Sequence, residues 1–148
     1  SHLHALKENH DIAEELLEEV LDEYPLDIGA YNDLGYLWAD RGVHLNRALN
    51  MIQAACKAEP KNHAYRDSLG WVLYRLERYE EAKKELEFAA DDEDPDGVIL
   101  DHLGDIYDKL GDKNAARKSW QRAVKAFKKA DDKEMAQKVE RKLDGKGR

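Results

Sequence analysis

Apolar residues along this 148-residue chain recur at helical spacings. Tyr31, Leu34 and Trp38, with Leu37 beside them, stand three and four apart ahead of Gly42 and line one stripe of a helix. A second stripe runs through Ala82, Leu86 and Ala89. Near the end, Met135, Val139 and Leu143 recur every fourth residue with charges between them, which predicts an amphipathic helix starting after Asp131-Asp132. Above this short period lies a long one. The pair Leu-Gly returns at Leu34-Gly35, Leu69-Gly70 and Leu103-Gly104, and alanine at Ala13, Ala48, Ala82 and Ala116 keeps nearly the same step of 34 or 35 residues. A fixed period of that length marks a repeat architecture, in which each unit is two antiparallel helices joined by a short turn. Glycine inside a helix costs about 0.5–1 kcal/mol relative to alanine. Three at one register therefore predict close helix–helix packing there.

The units "AYNDLGYLWADRGVHLNRALNMIQAACKAEP", "AYRDSLGWVLYRLERYEEAKKELEFAA" and "VILDHLGDIYDKLGDKNAARKSWQRAV" resemble tetratricopeptide repeats, with the bulky residue, Leu-Gly, aromatic, Ala and closing Pro in family order. The wording is most similar to the C-terminal repeat block of bacterial tetratricopeptide proteins. The resemblance implies an all-α fold, a right-handed superhelical solenoid of antiparallel helix pairs with a C-terminal capping helix. It divides a single domain over 1–148 into a partial repeat at 1–27, complete repeats at 28–62, 63–96 and 97–130, and a capping helix at 131–144. Three departures stand out. The turn between Gly42 and Ala48 holds five residues where the other turns hold four. The closing proline, present at Pro25 and Pro60, comes one place late at Pro95 and is replaced by Lys128 in the last unit, so the last second helix is expected to run on. The chain starts partway through a repeat and without Met, which reads as a piece of a longer protein, with Ser1-His2 as a cloning remnant.

Composition changes this picture little. With 38 % charged residues, a mean hydropathy of −0.84, no Thr and no apolar run near the ~20 residues a bilayer span needs, neither a β-sandwich nor a membrane span is supported. The acidic run Asp91–Gly97 falls at a required turn and reads as capping chemistry, since it lacks the ligand order of a calcium loop. Charge is uneven: residues 112–148 carry a net +7 and residues 1–111 a net −15. Arg117, Lys118, Arg122, Lys125, Lys128 and Lys129 make the basic end a third candidate, for nucleic acid or an anionic membrane. Trp120, however, takes the register of Leu17, Ile52 and Leu86, a core position, which leaves bare charge without interleaved aromatics.

In tetratricopeptide proteins the first helices line a concave groove, and the family's groove positions fall two before the Leu, just after the Gly, and four or five beyond it. The resemblance thereby names Asn32, Tyr36, Ala39 and Asp40, then Asp67, Trp71, Tyr74 and Arg75, then Asp101, Asp105, Asp108 and Lys109. Aromatic side chains flanked by five carboxylates favour a protein or peptide partner that is basic with an apolar anchor. Acids at these positions exclude the Lys- and Asn-lined clamp with which some members hold chaperone C-terminal tails. The alternative for Trp71 and Tyr36 is packing against a neighbouring helix.

No enzyme is expected. Three Ser, one Cys and no Gly-rich phosphate loop leave nucleophilic and phosphoryl-transfer chemistry without parts. Cys56, amid Met51, Ile52 and Ala55, reads as a small core residue. The histidines lack zinc-site spacing, so no cofactor and no metal are expected, apart from incidental chelation by His2 and His4. The resulting expectation is a non-enzymatic scaffold or adaptor of a bacterium, soluble, cytoplasmic or associated with the cell envelope. Its alternatives are self-association as a homo-oligomer or stacking through the N-terminal edge, and binding of nucleic acid or membrane by the basic end.

Overall fold

The computed structural model describes residues 2–145, with side chains from residue 9 onward. Among them are eight helices and no strand: α1 (His2–Glu23), α2 (Ile28–Arg41), α3 (Leu45–Ala58), α4 (His63–Arg75), α5 (Tyr79–Ala90), α6 (Gly97–Lys109), α7 (Lys113–Lys129) and α8 (Lys133–Leu143). The backbone divides into two compact units, Ser1–Leu76 and Glu77–Arg148.

In the first unit α2 packs on α1, α3 and α4, and α4 also packs on α3. Asp27 and Asn62 cap α2 and α4, their side chains accepting from the Ala30 and Tyr65 amides, each such cap contributing about 1 kcal/mol. The repeat glycine is a packing residue. A Cβ on Gly35 would stand 2.7 Å from Ile52 Cγ1 and 3.2 Å from the Ala48 carbonyl, so the α2–α3 pair closes only over a bare Cα. Leu34, Trp38, Ala48, Ile52 and Ala55 are buried between these helices, and Cys56 is buried with its thiol directed at the Tyr65 carbonyl, 3.3 Å away. The extra residue of the first unit does not lengthen the turn: α2 takes it up, with 14 residues against 13 in α4 and α6, and three residues separate the helices in each case. Gly42 and His44 both take left-handed φ values in the α2–α3 turn, whereas the α4–α5 and α6–α7 turns carry one such residue each, Glu77 and Gly111.

The second unit follows the same rules with larger side chains. Gly104 faces the indole of Trp120, where a Cβ would lie 2.4 Å from ring atoms, and Gly97 faces Phe127. Trp120 and Phe127 are 1 % and 5 % exposed, as the core register predicts. Asp96, Asp112 and Asp132 cap α6, α7 and α8. Asp94, from the acidic run, pairs with Lys129 at 3.4 Å. Without a closing proline, α7 extends to 17 residues, against 14 in α3 and 12 in α5. Then α8 lays Ala136 and Val139 onto α7, covering its apolar flank, with Met135 and Leu143 partly buried beside them.

Candidate functional site

The groove positions fall differently in the two units. In the first, α2 and α4 bring Asn32, Tyr36, Asp40 and Asp67 to one open cavity of about 380 Å³. Ala13 and Leu17 of α1 close one side, and Asp33, Leu37, Ala64 and Ser68 complete the wall. Tyr36 is half-buried and Asp40 is exposed, while Asp67 is buried. Asn32 is only 8 % exposed. Its Nδ2 donates to Asp33 at 3.3 Å, which fixes the amide orientation, and its Oδ1 is buried without a hydrogen-bond partner. A buried acceptor left unpaired costs about 1–3 kcal/mol, and such atoms are rare enough to require a reason. Three carboxylates, Asp33, Asp40 and Asp67, give the cavity a negative field.

Trp71, Tyr74 and Arg75 do not line that cavity. Trp71 is 8 % exposed and stacks on Tyr74 with ring centroids 4.8 Å apart and planes 11° from parallel. The expectation of Trp71 as an exposed anchor is therefore corrected to the packing alternative: α4 turns its indole inward. Ala39 is fully buried. Arg75 is exposed and reaches back toward Gly42, where a Cβ would meet its Nη2 at 2.6 Å.

In the second unit the expected carboxylates already hold cations. Lys142 of α8 places its Nζ 2.8 Å from Asp101 and 2.9 and 3.0 Å from the two oxygens of Asp105. Trp120 Nε1 donates to the same Asp105 at 3.1 Å. These ionic side chains are 9–16 % exposed. Burial pushes the Asp105 carboxyl above its ordinary value, and the neighbouring Asp101 adds to this against the pull of Lys142. For Lys142 burial works toward a lower value, but the two carboxylates outweigh it and hold the ammonium above its ordinary range. Asp108 pairs with Lys113 at 2.7 Å, and Lys109 is exposed. Five open carboxylates were expected; three of them, Asp101, Asp105 and Asp108, are neutralised by lysines that the first-helix register does not contain.

Among the described residues, no group of three or more His, Cys, Asp or Glu is placed to hold a metal ion, and the side chains of His2 and His4 lie outside the described residues. Among the described residues no helix is long and apolar enough to cross a membrane. At the basic end, Lys128 pairs with Glu140 at 3.0 Å, while Arg117, Lys118, Arg122 and Lys125 are exposed.

Residues 44–147 match the model of the tetratricopeptide repeat-like domain. The chain belongs to the tetratricopeptide-repeat family. The tetratricopeptide fold generally mediates protein–protein interaction, and scaffolds of this kind are typically non-enzymatic. A TPR repeat-containing protein of Pseudomonas aeruginosa is 34 % identical over 101 residues, a match covering 67 % of this chain and 17 % of that protein. This tetratricopeptide chain thus spans about a sixth of the relative it matches. Solved structures share the fold at lower identity. MamA from Desulfovibrio magneticus superposes with a TM-score of 0.67 at 18 % identity, covering 84 % of this chain and 70 % of that one. Another MamA crystal structure gives a TM-score of 0.64 at 18 % identity, with coverages of 96 % and 91 %.

Proposed function

We propose that the cavity of the first unit captures a protein segment that is basic with an apolar anchor, and that the chain serves as a non-enzymatic adaptor through it. The observation that carries this reading is the meeting of the half-buried Tyr36 ring with the carboxylates of Asp33, Asp40 and Asp67 in one open cavity, with the unpartnered Oδ1 of Asn32 buried behind its wall. A peptide backbone N–H, or a Lys or Arg N–H, is the donor that a protein ligand supplies, and satisfying a buried acceptor returns the desolvation penalty it otherwise incurs. Asp40 and Asp67 select a cationic side chain, and the half-buried Tyr36 offers a ring for its aliphatic stem. The acids repel a C-terminal carboxylate, so chaperone tails are not ligands. Nucleic acid and anionic membranes are not the partners of this cavity either, since the same field repels phosphate.

Selection of peptides from a random displayed library on the immobilised protein tests this. Enriched peptides should carry Lys or Arg next to a bulky apolar residue. Their affinity should fall at least about tenfold for the Tyr36→Ala, Asp40→Lys double variant, a loss of 1.4 kcal/mol or more. Both residues have solvent access, so the variant keeps the core, which circular dichroism verifies. Acidic enriched peptides, or equal binding by the double variant, would overturn the proposal.

A further inference from the structure

A cavity of about 610 Å³ lies between α1 and α3, with α2 as its floor. It shares no residue with the Asn32 cavity: α2 turns Asn32 and Tyr36 to that side and Tyr31, Leu34 and Trp38 to this one. Its volume is in the range of ligand pockets, about 300–1,000 Å³. The wall on α1 is Glu18, Leu21 and Asp22. At about 3.6 residues per turn, these stand about a third of a turn around the helix from the core register of Ala13, Leu17 and Val20. Every residue that lines the cavity comes from α1, α2 or α3, so its walls are complete within the first unit.

The floor is aromatic and held in place. Trp38 is 2 % exposed, its Nε1 donates to Glu14 at 2.9 Å, and the His44 ring meets it edge-on with centroids 5.0 Å apart. Tyr31 donates its hydroxyl to the Pro25 carbonyl at 2.6 Å. Side chains ordered in advance spare a ligand the entropic cost of ordering them. Half-buried Leu21 and Met51 flank this floor from α1 and α3.

The two rims carry opposite charge. Glu18 and Asp22 are exposed on α1, and Arg47 is exposed on α3 with its guanidinium 4.9 Å from the centroid of the Trp38 ring. A guanidinium stacked on a ring still presents its N–H edge, the part that bonds a carboxylate in pairs. Among the described residues, no ion pair engages Glu18, Asp22 or Arg47.

We propose that this cavity holds a segment of a partner protein in which a bulky apolar residue stands between a Lys or Arg and an Asp or Glu. The apolar side chain rests on the Tyr31 and Trp38 floor, the cation meets Glu18 and Asp22, and the carboxylate meets Arg47. A purely basic segment sets like charge against Arg47, and a purely acidic one sets it against Glu18 and Asp22, so the two rims together select the mixed sequence. This differs from the basic segment of the Asn32 cavity and does not depend on that reading.

The test selects peptides from a random displayed library on the whole chain carrying Tyr36→Ala and Asp40→Lys, which removes the Asn32 cavity from the selection. Enriched peptides should carry the basic, apolar and acidic residues together. By fluorescence anisotropy, an enriched peptide should bind at least about tenfold more weakly to Arg47→Gln, and likewise to Glu18→Lys with Asp22→Lys, than to the unaltered chain. Exchanging the basic residue of the peptide for Glu should restore binding to the Glu18→Lys, Asp22→Lys variant while weakening binding to the unaltered chain. All three side chains are exposed, so the fold is retained, which circular dichroism verifies. Absence of enrichment, enriched peptides without the mixed charge, or equal binding by either variant would overturn the proposal. So would self-association of the chain that Arg47→Gln abolishes, which would make a second copy the occupant.

Discussion

Replacing Lys142 by Met removes the one ammonium that Asp101 and Asp105 share. Three contacts of 2.8–3.0 Å disappear, while the two carboxylates, 9 % and 16 % exposed, remain within a few ångströms of each other. Breaking a buried pair from one side costs about 3–5 kcal/mol, because the remaining charge is left desolvated and uncompensated. Trp120 Nε1 still donates to Asp105 and keeps part of its charge satisfied, so the loss belongs near the lower end, about 3 kcal/mol. Urea denaturation followed by circular dichroism and by hydrogen exchange of α8 would measure it, with α8 amides losing protection first. The triple variant Lys142→Met, Asp101→Asn, Asp105→Asn should recover most of the loss, since a buried pair replaced as a whole by neutral groups is often nearly neutral. A cost under about 1 kcal/mol, the range of an exposed ion pair, would refute the claim that this lysine locks the last helix.

Gly104→Ala should destabilise by about 1–3 kcal/mol, because the new methyl collides with the Trp120 ring and outweighs the gain in helix propensity. Gly111→Ala, in open space at φ +84, should cost about 1 kcal/mol through its left-handed backbone alone; thermal denaturation ranks the two. Trp71→Ala should cost about 3–5 kcal/mol in the same assay, as a core truncation rather than the loss of a ligand contact. The raised folded-state value of Lys142 contributes stability that is present below the ordinary lysine value of 10.5 and is lost as pH rises through the folded value. Tyr107, held up to about 12 by burial and by its bond to Glu87, acts in the same sense between 10 and 12. Asp105 has the opposite consequence at the acid end. Its raised value favours the folded state below the ordinary carboxylate value and that contribution fades as pH rises, so mild acid does not release α8 through this group. The urea midpoint should accordingly fall above about pH 10.5, and Lys142→Met should flatten that fall; a fall of the same size in the variant would contradict the assignment.

The fold was legible because its determinants are periodic. Leu-Gly at every first helix, alanine at every second and Trp120 in a core register define helix pairs without any long-range knowledge, and a missing proline correctly extends α7. The groove positions were legible only as register. A register says which side of a helix a residue occupies, not what else arrives there. Lys142 reaches Asp101 and Asp105 across 41 and 37 residues of chain, and no local pattern announces it. Trp71 failed as an exposed anchor because α4 is packed against both α2 and α3, so positions that face outward in an isolated pair become inner ones. The unpartnered oxygen of Asn32 is likewise a property of its surroundings.

The cavity claim is tested most directly by Asn32→Leu, read for stability and for binding of a library-selected basic peptide together. Removing a buried, unpartnered acceptor in favour of an apolar side chain of similar size should leave stability unchanged or raise it by up to about 1–2 kcal/mol. Binding should nevertheless weaken by about tenfold or more. Such opposite movement is what a ligand-satisfied acceptor predicts. A variant that loses stability and keeps its affinity for the peptide would show Asn32 to be part of the scaffold, and the cavity would no longer be the binding site.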